Sequence, residues 1–239
     1  MIHNKGDGPI RGVVAIAKGS GEVRGYVGNS QIGEMPLQEA IGSGTVNIVK
    51  NHPDWPRPYN GITSIQNGDI DRDVGVYLAQ SEQRSCALAA GTSIKGLLCT
   101  SAGGYVVEQL PDCTSETIAK VEENLQKLIE KDGTTDIPTG ILLDGGTPLD
   151  ICSIILDGLD MQPLQQIEPK WFCGCSEEKL FRAIRLLPRS EVDDILESQQ
   201  KIEARCEFCG TVYSMTPEQV KEKFATAKGD PALDADFES

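Results

Sequence analysis

The sequence has few aromatic residues, few histidines and an excess of acidic over basic side chains. Aromatic residues make up 5% of the 239 residues, and His3 and His52 are the two histidines. The 22 Lys and Arg residues stand against 36 Asp and Glu, so the formal net charge is −14. An acidic chain repels phosphate backbones. Nucleic acid is therefore not an expected partner.

Long apolar runs and common enzyme motifs are also missing. No stretch approaches the ~18 apolar residues that a membrane span needs, and the segment "MIHNKGDGPIRG" carries no apolar signal region. We therefore expect a soluble cytoplasmic protein without a membrane partner, or one of an organelle lumen if a transit segment precedes this sequence. There is no Walker loop and no G-x-S-x-G motif, and neither histidine adjoins a serine or cysteine. We do not expect an enzyme.

The fold expected from the patterns that are present is α+β, beginning with a mixed α/β sheet domain over residues 1–113. The segment "PIRGVVAIAKGSGEVRGYVGN" predicts two strands joined by a tight loop at Lys18–Gly21. Further strands are expected at "GTVNIVK", "YNGITSIQ", "SCALAAG" and "GGYVVEQLP". Between them, a helix is indicated by apolar residues at helical spacing, namely Ile70, Val74, Tyr77 and Leu78.

Residues 114–172 are expected to form a helical, apolar linker. Its first helix carries one apolar face between Glu116 and Gly133, formed by Ile118, Val121, Leu125, Leu128 and Ile129. Thr147, Pro148 and Asp150 are typical of the start of a short second helix that ends near Gly158. A segment this apolar should not stay exposed to water. It is either packed on the first domain or covered until something releases it.

Residues 173–225 are expected to form a small C-terminal domain, followed by a frayed acidic tail at residues 226–239. Three helices are predicted from their caps and apolar faces. The first helix starts at Ser176, Glu177 and Glu178, and its apolar face consists of Leu180, Phe181, Ile184 and Leu187. The second is capped by Ser190 and Asp193. The third starts at Thr216, Pro217 and Gln219 and carries Val220 and Phe224.

The eight cysteines fall into two classes. Four stand alone among apolar or small neighbours and are expected to be buried small hydrophobic residues, namely Cys86, Cys99, Cys113 and Cys152. The other four form a C-x-C pair and a C-x2-C pair separated by thirty residues, namely Cys173, Cys175, Cys206 and Cys209. Two such pairs predict a tetrahedral four-sulfur site for one Zn²⁺ per chain, although disulfides or free thiols are alternatives.

The spacing alone leaves the role of this metal open. A module of about fifty residues buries little apolar surface, and zinc in such sites contributes ~10–16 kcal/mol of apparent binding free energy. The metal could therefore be a structural staple. However, zinc also keeps its sulfurs as thiolates, which oxidants attack, and each sulfur has a neighbour with which it can form a disulfide. Oxidation would then eject the metal and unfold the module.

Four segments resemble the heat-shock protein 33 family of redox-regulated holding chaperones. They are "YLAQSEQ", "AGGYVVEQLP", "EPKWFCGCSEEK" and "RSEVDDILESQQKIEARCEFCGTVYSMTPEQVKEKF", and the resemblance extends from about residue 6 to about residue 225. Members of that family begin several tens of residues earlier with a strand and a helix. We therefore expect the first-domain sheet of this chain to lack a strand and to expose an edge.

The resemblance implies an ATP-independent chaperone that is reduced, zinc-bound and inactive at rest. It implies that oxidants pair Cys173 with Cys175 and Cys206 with Cys209, that zinc leaves, and that the linker and zinc domain unfold. The activated protein, commonly a homodimer, then binds unfolding client proteins. We expect the newly exposed client-binding surface to include apolar residues of the linker, namely Ile141, Leu142, Leu143, Ile154, Ile155 and Leu156.

Two other functions compete with this hypothesis. A structural zinc ribbon could bind nucleic acid or a protein partner, but residues 173–239 carry nine Lys and Arg against fourteen Asp and Glu, a net charge of −5. A thiol oxidoreductase could use Cys206 and Cys209. Such a pair would have to turn over without tightly bound zinc.

Overall fold

The computed structural model describes residues 1–132 and 139–226, with only the backbone described for residues 129–132 and 226. The chain divides into two compact units, one of Met1–Gly21 and Val27–Pro169, the other of Glu22–Tyr26 and Lys170–Ser239. The finer predicted division at residues 113, 172 and 225 stays a prediction. The predicted helix end at Gly133, the side chain of Ile129 and the tail beyond residue 226 lie outside the described residues.

The described residues form ten strands and eight helices. The strands are β1 (Ile2–Gly6), β2 (Val13–Ala17), β3 (Glu22–Val27), β4 (Gly44–Lys50), β5 (Tyr59–Ser64), β6 (Cys86–Lys95), β7 (Leu98–Glu108), β8 (Lys170–Trp171), β9 (Ile202–Arg205) and β10 (Val212–Met215). The helices are α1 (Leu37–Ile41), α2 (Ile70–Ser81), α3 (Ser115–Asp132), α4 (Thr139–Leu143), α5 (Pro148–Ile155), α6 (Glu177–Arg185), α7 (Arg189–Gln199) and α8 (Pro217–Thr226).

An antiparallel sheet organises the first part of the first unit. Its strands lie in the order β5, β4, β1 and β2, and Val46 and Ile48 of β4 form a buried cluster with Tyr77 of α2. Gly61 of β5 is needed here, because a Cβ atom at that position would lie 2.6 Å from the Tyr77 ring. The predicted helix is thus confirmed as α2, and it covers one face of the sheet.

The second part of the first unit is a β6–β7 hairpin with three helices packed against it. We call α3, α4 and α5 together the helical layer. Its buried residues are Leu128, Ile151 and Ile155, and the residues packed against them are Tyr105 and Val107 of β7 together with Val121, Leu125, Ile141, Leu142, Ile154 and Leu156. Part of the apolar linker segment is therefore covered by packing within the first unit, whereas Leu149, Leu164 and Ile167 are exposed.

Polar contacts fix both ends of α5 in the helical layer. At its start, the Thr147 hydroxyl accepts from the backbone N–H of Asp150, and the Asp150 carboxylate accepts from the backbone N–H of Thr147 at 2.7 Å. This is the capping box that the sequence predicts. At its end, the buried amide of Asn124 donates to the carbonyl oxygens of Ile155 at 3.0 Å and Asp157 at 2.8 Å. The sequence pattern gave no indication of this second contact.

The second unit combines two small ladders with three helices. β3 pairs in parallel with β8, and β9 and β10 form an antiparallel hairpin. The core of the unit consists of Phe181, Ile184, Val192, Leu196, Ile202, Met215 and Val220. Most of these residues come from the predicted helices, but the hairpin strands were not predicted, because each is only four residues long.

The predicted caps of this unit are confirmed at two of three helices. The Ser176 side chain accepts from the backbone N–H of Lys179, and Thr216 and Gln219 bond to each other's backbone N–H groups at the start of α8. The prediction for Ser190 is wrong: α7 begins at Arg189 after Pro188, without a side-chain cap. Asp193 forms an ion pair with Arg189 instead, at 3.2 Å.

The prediction that the four scattered cysteines are buried is also wrong. Cys99 and Cys152 are exposed, and Cys86 and Cys113 are half-buried. Cys99 follows the tip of the β6–β7 hairpin, where neighbouring side chains also face solvent. Cys152 lies on the outer side of α5, since Ile151 and Ile155 take the inner side.

The α+β class is confirmed, with a sheet domain, helices rich in Ile and Leu, and a four-cysteine module at the C-terminal side. Among the helices in the part of the chain that the structure describes, none is long and apolar enough to cross a membrane.

Candidate metal centre

The first cysteine pair lies between a strand and a helix of the second unit. Cys173 and Cys175 follow β8 and precede Ser176, the N-cap of α6. The Lys179 ammonium donates to the carbonyl oxygen of Gly174, which lies between the two cysteines. This contact ties the first turn of α6 to the C-x-C segment and fixes its path.

The second pair lies in the loop of the β9–β10 hairpin, which we call the knuckle loop (residues 206–211). The backbone N–H of Gly210 donates to the carbonyl oxygen of Cys206 at 2.8 Å, and the N–H of Cys206 donates to the carbonyl of Thr211 at 2.9 Å. Gly210 has φ +72°, a conformation that glycine adopts without strain. The glycine after C-x2-C therefore allows the turn that directs Cys206 and Cys209 to one side.

The four sulfur atoms converge on one point. All four Sγ atoms lie within 4.8 Å of one another, with 3.6 Å between Cys173 and Cys206 and 3.4 Å between Cys175 and Cys209. Zn–S bonds of about 2.3 Å in a tetrahedron place the sulfurs about 3.8 Å apart. The donor set therefore fits a four-sulfur metal site. Both of these contacts join cysteines from different pairs, so the two halves of the site lie against each other.

Two hydroxyl groups beside the cysteines extend the site. The Tyr213 hydroxyl lies 3.1 Å from Cys175 Sγ, and Thr211 Oγ1 lies 3.2 Å from Cys209 Sγ. Thr211 is the last residue of the knuckle loop, and Tyr213 lies in β10, which follows that loop. The sequence analysis missed them, and their position just after the C-x2-C pair is the signal that could have indicated them.

Hydrogen bonding spreads the pKa values of the thiols when no cation is bound. Hydrogen bonds from Thr211, through its side chain and its backbone, lower the pKa of Cys209 to about 6. The Tyr213 hydroxyl lowers the pKa of Cys175. The hydrogen bond of Cys175 to Cys209 and the burial of Cys175 outweigh this effect and raise the pKa to about 11. In return, the bond to Cys175 raises the pKa of Tyr213 to about 12. Four thiolates at neutral pH therefore need a cation among them.

Comparison with known proteins identifies the family. The model of the Hsp33 protein family matches residues 1–216. The chain belongs to the Hsp33 family. The 33 kDa chaperonin of Clostridioides difficile is an Hsp33 relative with 35% identity over 226 residues, which cover 91% of this chain and 75% of the relative. The 33 kDa chaperonin of Nostoc is 33% identical over 230 residues, covering 92% and 74%.

A solved Hsp33 structure agrees with this assignment. The crystal structure of the 33 kDa chaperonin (heat shock protein 33 homolog) from Thermotoga maritima superposes with a TM-score of 0.76 at 28% identity. The match covers 96% of this chain and 78% of that one. The resemblance inferred from the sequence is thus confirmed, and so is the expectation of a chaperone rather than an enzyme, since Hsp33 is a non-enzymatic chaperone family.

The residues predicted for client binding lie apart from the cysteines along the chain, in the helical layer of this Hsp33 protein. Five of the six contribute to its apolar cluster, namely Ile141, Leu142, Ile154, Ile155 and Leu156. Leu143 differs, because 51% of its surface is exposed. Their role in client binding stays a prediction, as do the metal ligands and the disulfide pairing.

Proposed function

We propose that this protein is a redox-regulated, ATP-independent holding chaperone in which the four cysteines keep an apolar surface covered while they are reduced. The observation that supports the proposal most is the convergence of four sulfur atoms within 4.8 Å. Membership of a chaperone family supplies the activity that such a centre would control. A reducing cytoplasm, where thiols persist, is the expected location.

Cys173, Cys175, Cys206 and Cys209 would hold one Zn²⁺ per chain. When bound, this ion offsets part of the negative charge of four thiolates in one place and links β8 to the knuckle loop, and its binding free energy adds to the folding free energy of the second unit. The unit has seven buried apolar residues in its core, among those that the structure describes. Domains this small commonly need such added stabilisation.

Oxidation of the cysteines removes this ligand set. A thiolate attacks hydrogen peroxide, the O–O bond breaks, hydroxide leaves, and a sulfenic acid forms. A second thiolate then attacks that sulfur and releases hydroxide, which leaves a disulfide. Two thiols thus lose two electrons and two protons to one peroxide, which becomes two waters. Pairing Cys173 with Cys175 and Cys206 with Cys209 would consume two peroxides per chain.

Loss of the ligand set would then uncover the client-binding surface. A disulfide needs an S–S distance of about 2.05 Å within each pair, so the contacts between pairs at 3.4 and 3.6 Å cannot be kept as they are. We propose that the second unit and the helical layer both unfold, and that the Ile and Leu residues of the layer bind unfolding proteins. The activated form would be a homodimer.

The proposal is tested by measuring metal release and client protection in the same samples. The zinc-loaded, reduced chain is treated with peroxide at mild heat, zinc is followed with a chromogenic chelator, and light scattering reports aggregation of a denaturing client. About one zinc per chain should leave as protection appears. Retention of zinc, or its release without any protection, would contradict the proposal and favour a structural metal site.

A further inference from the structure

A strand from the N-terminal part of the sequence belongs to the unit that contains the cysteines. The chain leaves the first unit after Gly21, contributes Glu22–Tyr26 to the second unit, and returns to the first at Val27. In this segment β3 pairs with β8 at Val23 and Trp171, and the Phe172 N–H donates to the Val23 carbonyl oxygen at 3.0 Å. The residue before Cys173 is therefore hydrogen-bonded to β3.

The same strand also contacts the knuckle loop. Arg24 and Tyr26 lie on the half-buried side of β3, and both reach Phe208, the residue before Cys209. The Tyr26 ring meets the Phe208 ring edge-on, with 5.0 Å between centroids and an interplanar angle of 89°. The guanidinium carbon of Arg24 lies 4.4 Å from the centre of the Phe208 ring. These are the geometries of a favourable aromatic pair and of a cation–π contact.

β3 therefore connects the two halves of the four-cysteine site. Its backbone holds the segment that enters Cys173, and its side chains hold the ring between Cys206 and Cys209. Both contacts help to keep the two cysteine pairs at a fixed separation. Four sulfurs can share one metal only while the two pairs stay together. Because β3 holds both pairs in place, more free energy is needed to separate them.

We propose that Arg24, Tyr26 and Phe208 are positioning residues of the redox switch, and that they set how readily the cysteines leave the metal-binding arrangement. This inference rests on the proposed function. When Cys206 and Cys209 join in a disulfide, their sulfurs come to about 2.05 Å, and the loop that carries Phe208 must change shape. Oxidation would thus break the contact with β3. The β3–β8 ladder, which has only two residue pairs, would open with it.

The test uses variants of the zinc-loaded full chain. Phe208→Leu removes the ring, and Arg24→Gln removes the cation, whereas Phe208→Tyr and Arg24→Lys keep the aromatic face and the charge. Arg189→Gln is a matched control, because the guanidinium carbon of Arg189 lies 4.5 Å from the centre of the Phe224 ring, and Phe224 belongs to α8 of the same unit. Zinc transfer to a chelator is timed without oxidant and with peroxide. Hydrogen exchange of the Phe172 amide reports the β3–β8 ladder independently of chaperone activity.

We expect Phe208→Leu to speed zinc transfer about five- to thirty-fold and Arg24→Gln about two- to five-fold. Faster exchange at Phe172 should accompany both changes, while the conservative variants and Arg189→Gln stay near the wild-type values. If Phe208→Leu cannot be loaded with zinc, the inference is tested by comparing Arg24→Gln with Arg24→Lys and Arg189→Gln.

This inference would be overturned if Arg24→Gln, and Phe208→Leu where it can be loaded with zinc, kept the wild-type rates of zinc transfer and of Phe172 amide exchange. It would also be overturned if Arg189→Gln accelerated zinc transfer as much as Arg24→Gln does. These outcomes leave the proposed function intact as long as the wild-type chain releases zinc and protects a client after peroxide. Failure of the wild-type chain in that assay contradicts the proposed function itself, so the two failures can be told apart.

Discussion

The helical layer of the first unit and the core of the second unit are both apolar, but they exclude water to different degrees. Among the described residues, the second unit has seven buried core residues with three half-buried neighbours, whereas the helical layer has three buried residues with eight half-buried neighbours. The layer is thus the shallower of the two. Burial of apolar surface contributes about 25 cal/mol per Å², so a layer with mostly half-buried residues can open at lower cost. This difference suits a surface that must become available to clients.

The two regions also differ in what closes them. The second unit brings four sulfur atoms together, and a metal there would add stabilisation from a single point. The helical layer is closed by packing, by the Asn124 amide and by the Thr147 capping box. Its stability comes from several small contributions, each of which can be removed by one substitution without touching a cysteine.

The largest expected effect is the loss of one sulfur from the second unit. Cys209→Ser removes one of four ligands, and we expect most of the ~10–16 kcal/mol that zinc binding contributes to be lost. The variant should contain little zinc, its α6–α8 amides should exchange quickly, and it should protect a client without oxidant. Zinc content and hydrogen exchange measure this. Cys152→Ser, a change at an exposed cysteine, is the control, and equal behaviour of the two variants would count against the metal site.

A cavity in the helical layer should have the next largest effect. Ile155 is 3% exposed, so Ile155→Ala should destabilise the first unit by about 2–5 kcal/mol. We expect client protection at lower peroxide concentrations, with zinc content unchanged. Urea unfolding and the aggregation assay check this expectation. Leu143→Ala, at a side chain that is 51% exposed, should leave the stability in urea unchanged; a similar loss of stability in both variants would show that the layer is not packed as described.

Asn124→Ala should loosen the same layer by a smaller amount. The change removes the donor for the carbonyl oxygens of Ile155 and Asp157, which costs about 1–3 kcal/mol. Faster amide exchange in α5 should result, with little change in α6–α8. Lys127→Ala, which affects an exposed ion pair with Glu123, serves as the control. Unchanged exchange in α5 after Asn124→Ala would mean that this side chain does not fix the end of the helix.

The smallest effects should come from the two helix caps, and they compare the units directly. Thr147→Ala and Thr216→Ala each remove one cap, at a cost of about 1 kcal/mol. The first should lower the stability of the helical layer alone, and the second should speed zinc transfer alone. Urea unfolding and chelator assays on both variants test this separation. Identical profiles would show that the two units respond as one.

Local signals in the sequence predicted much of this organisation. The Thr147 capping box, the apolar face of α2 and the C-x-C and C-x2-C spacing depend on residues close together in the chain, and the structure has all three. The sequence missed features that depend on distant partners. Asn124 meets Ile155, and Arg24 meets Phe208, only after the chain has folded.

The wrong sequence predictions also concern features that depend on how the chain packs after folding. Cys152 has apolar neighbours in sequence, but its helix turns it away from the Ile151 and Ile155 side. Ser190 is a good capping residue, but Pro188 takes the N-cap position, so α7 begins two residues earlier than a helix capped by Ser190 would. Composition and spacing indicate which residues can fill a role. Only the packing of the elements shows which residue takes it.

The most direct test of the central claim is hydrogen exchange of the α5 amides in the zinc-loaded chain before and after peroxide, with α2 as an internal reference. Oxidation of the four cysteines should speed exchange in α6–α8 and also in α5, while α2 stays protected. Protection of α5 that persists after both disulfides have formed and zinc has left would contradict the claim that the cysteines control the helical layer.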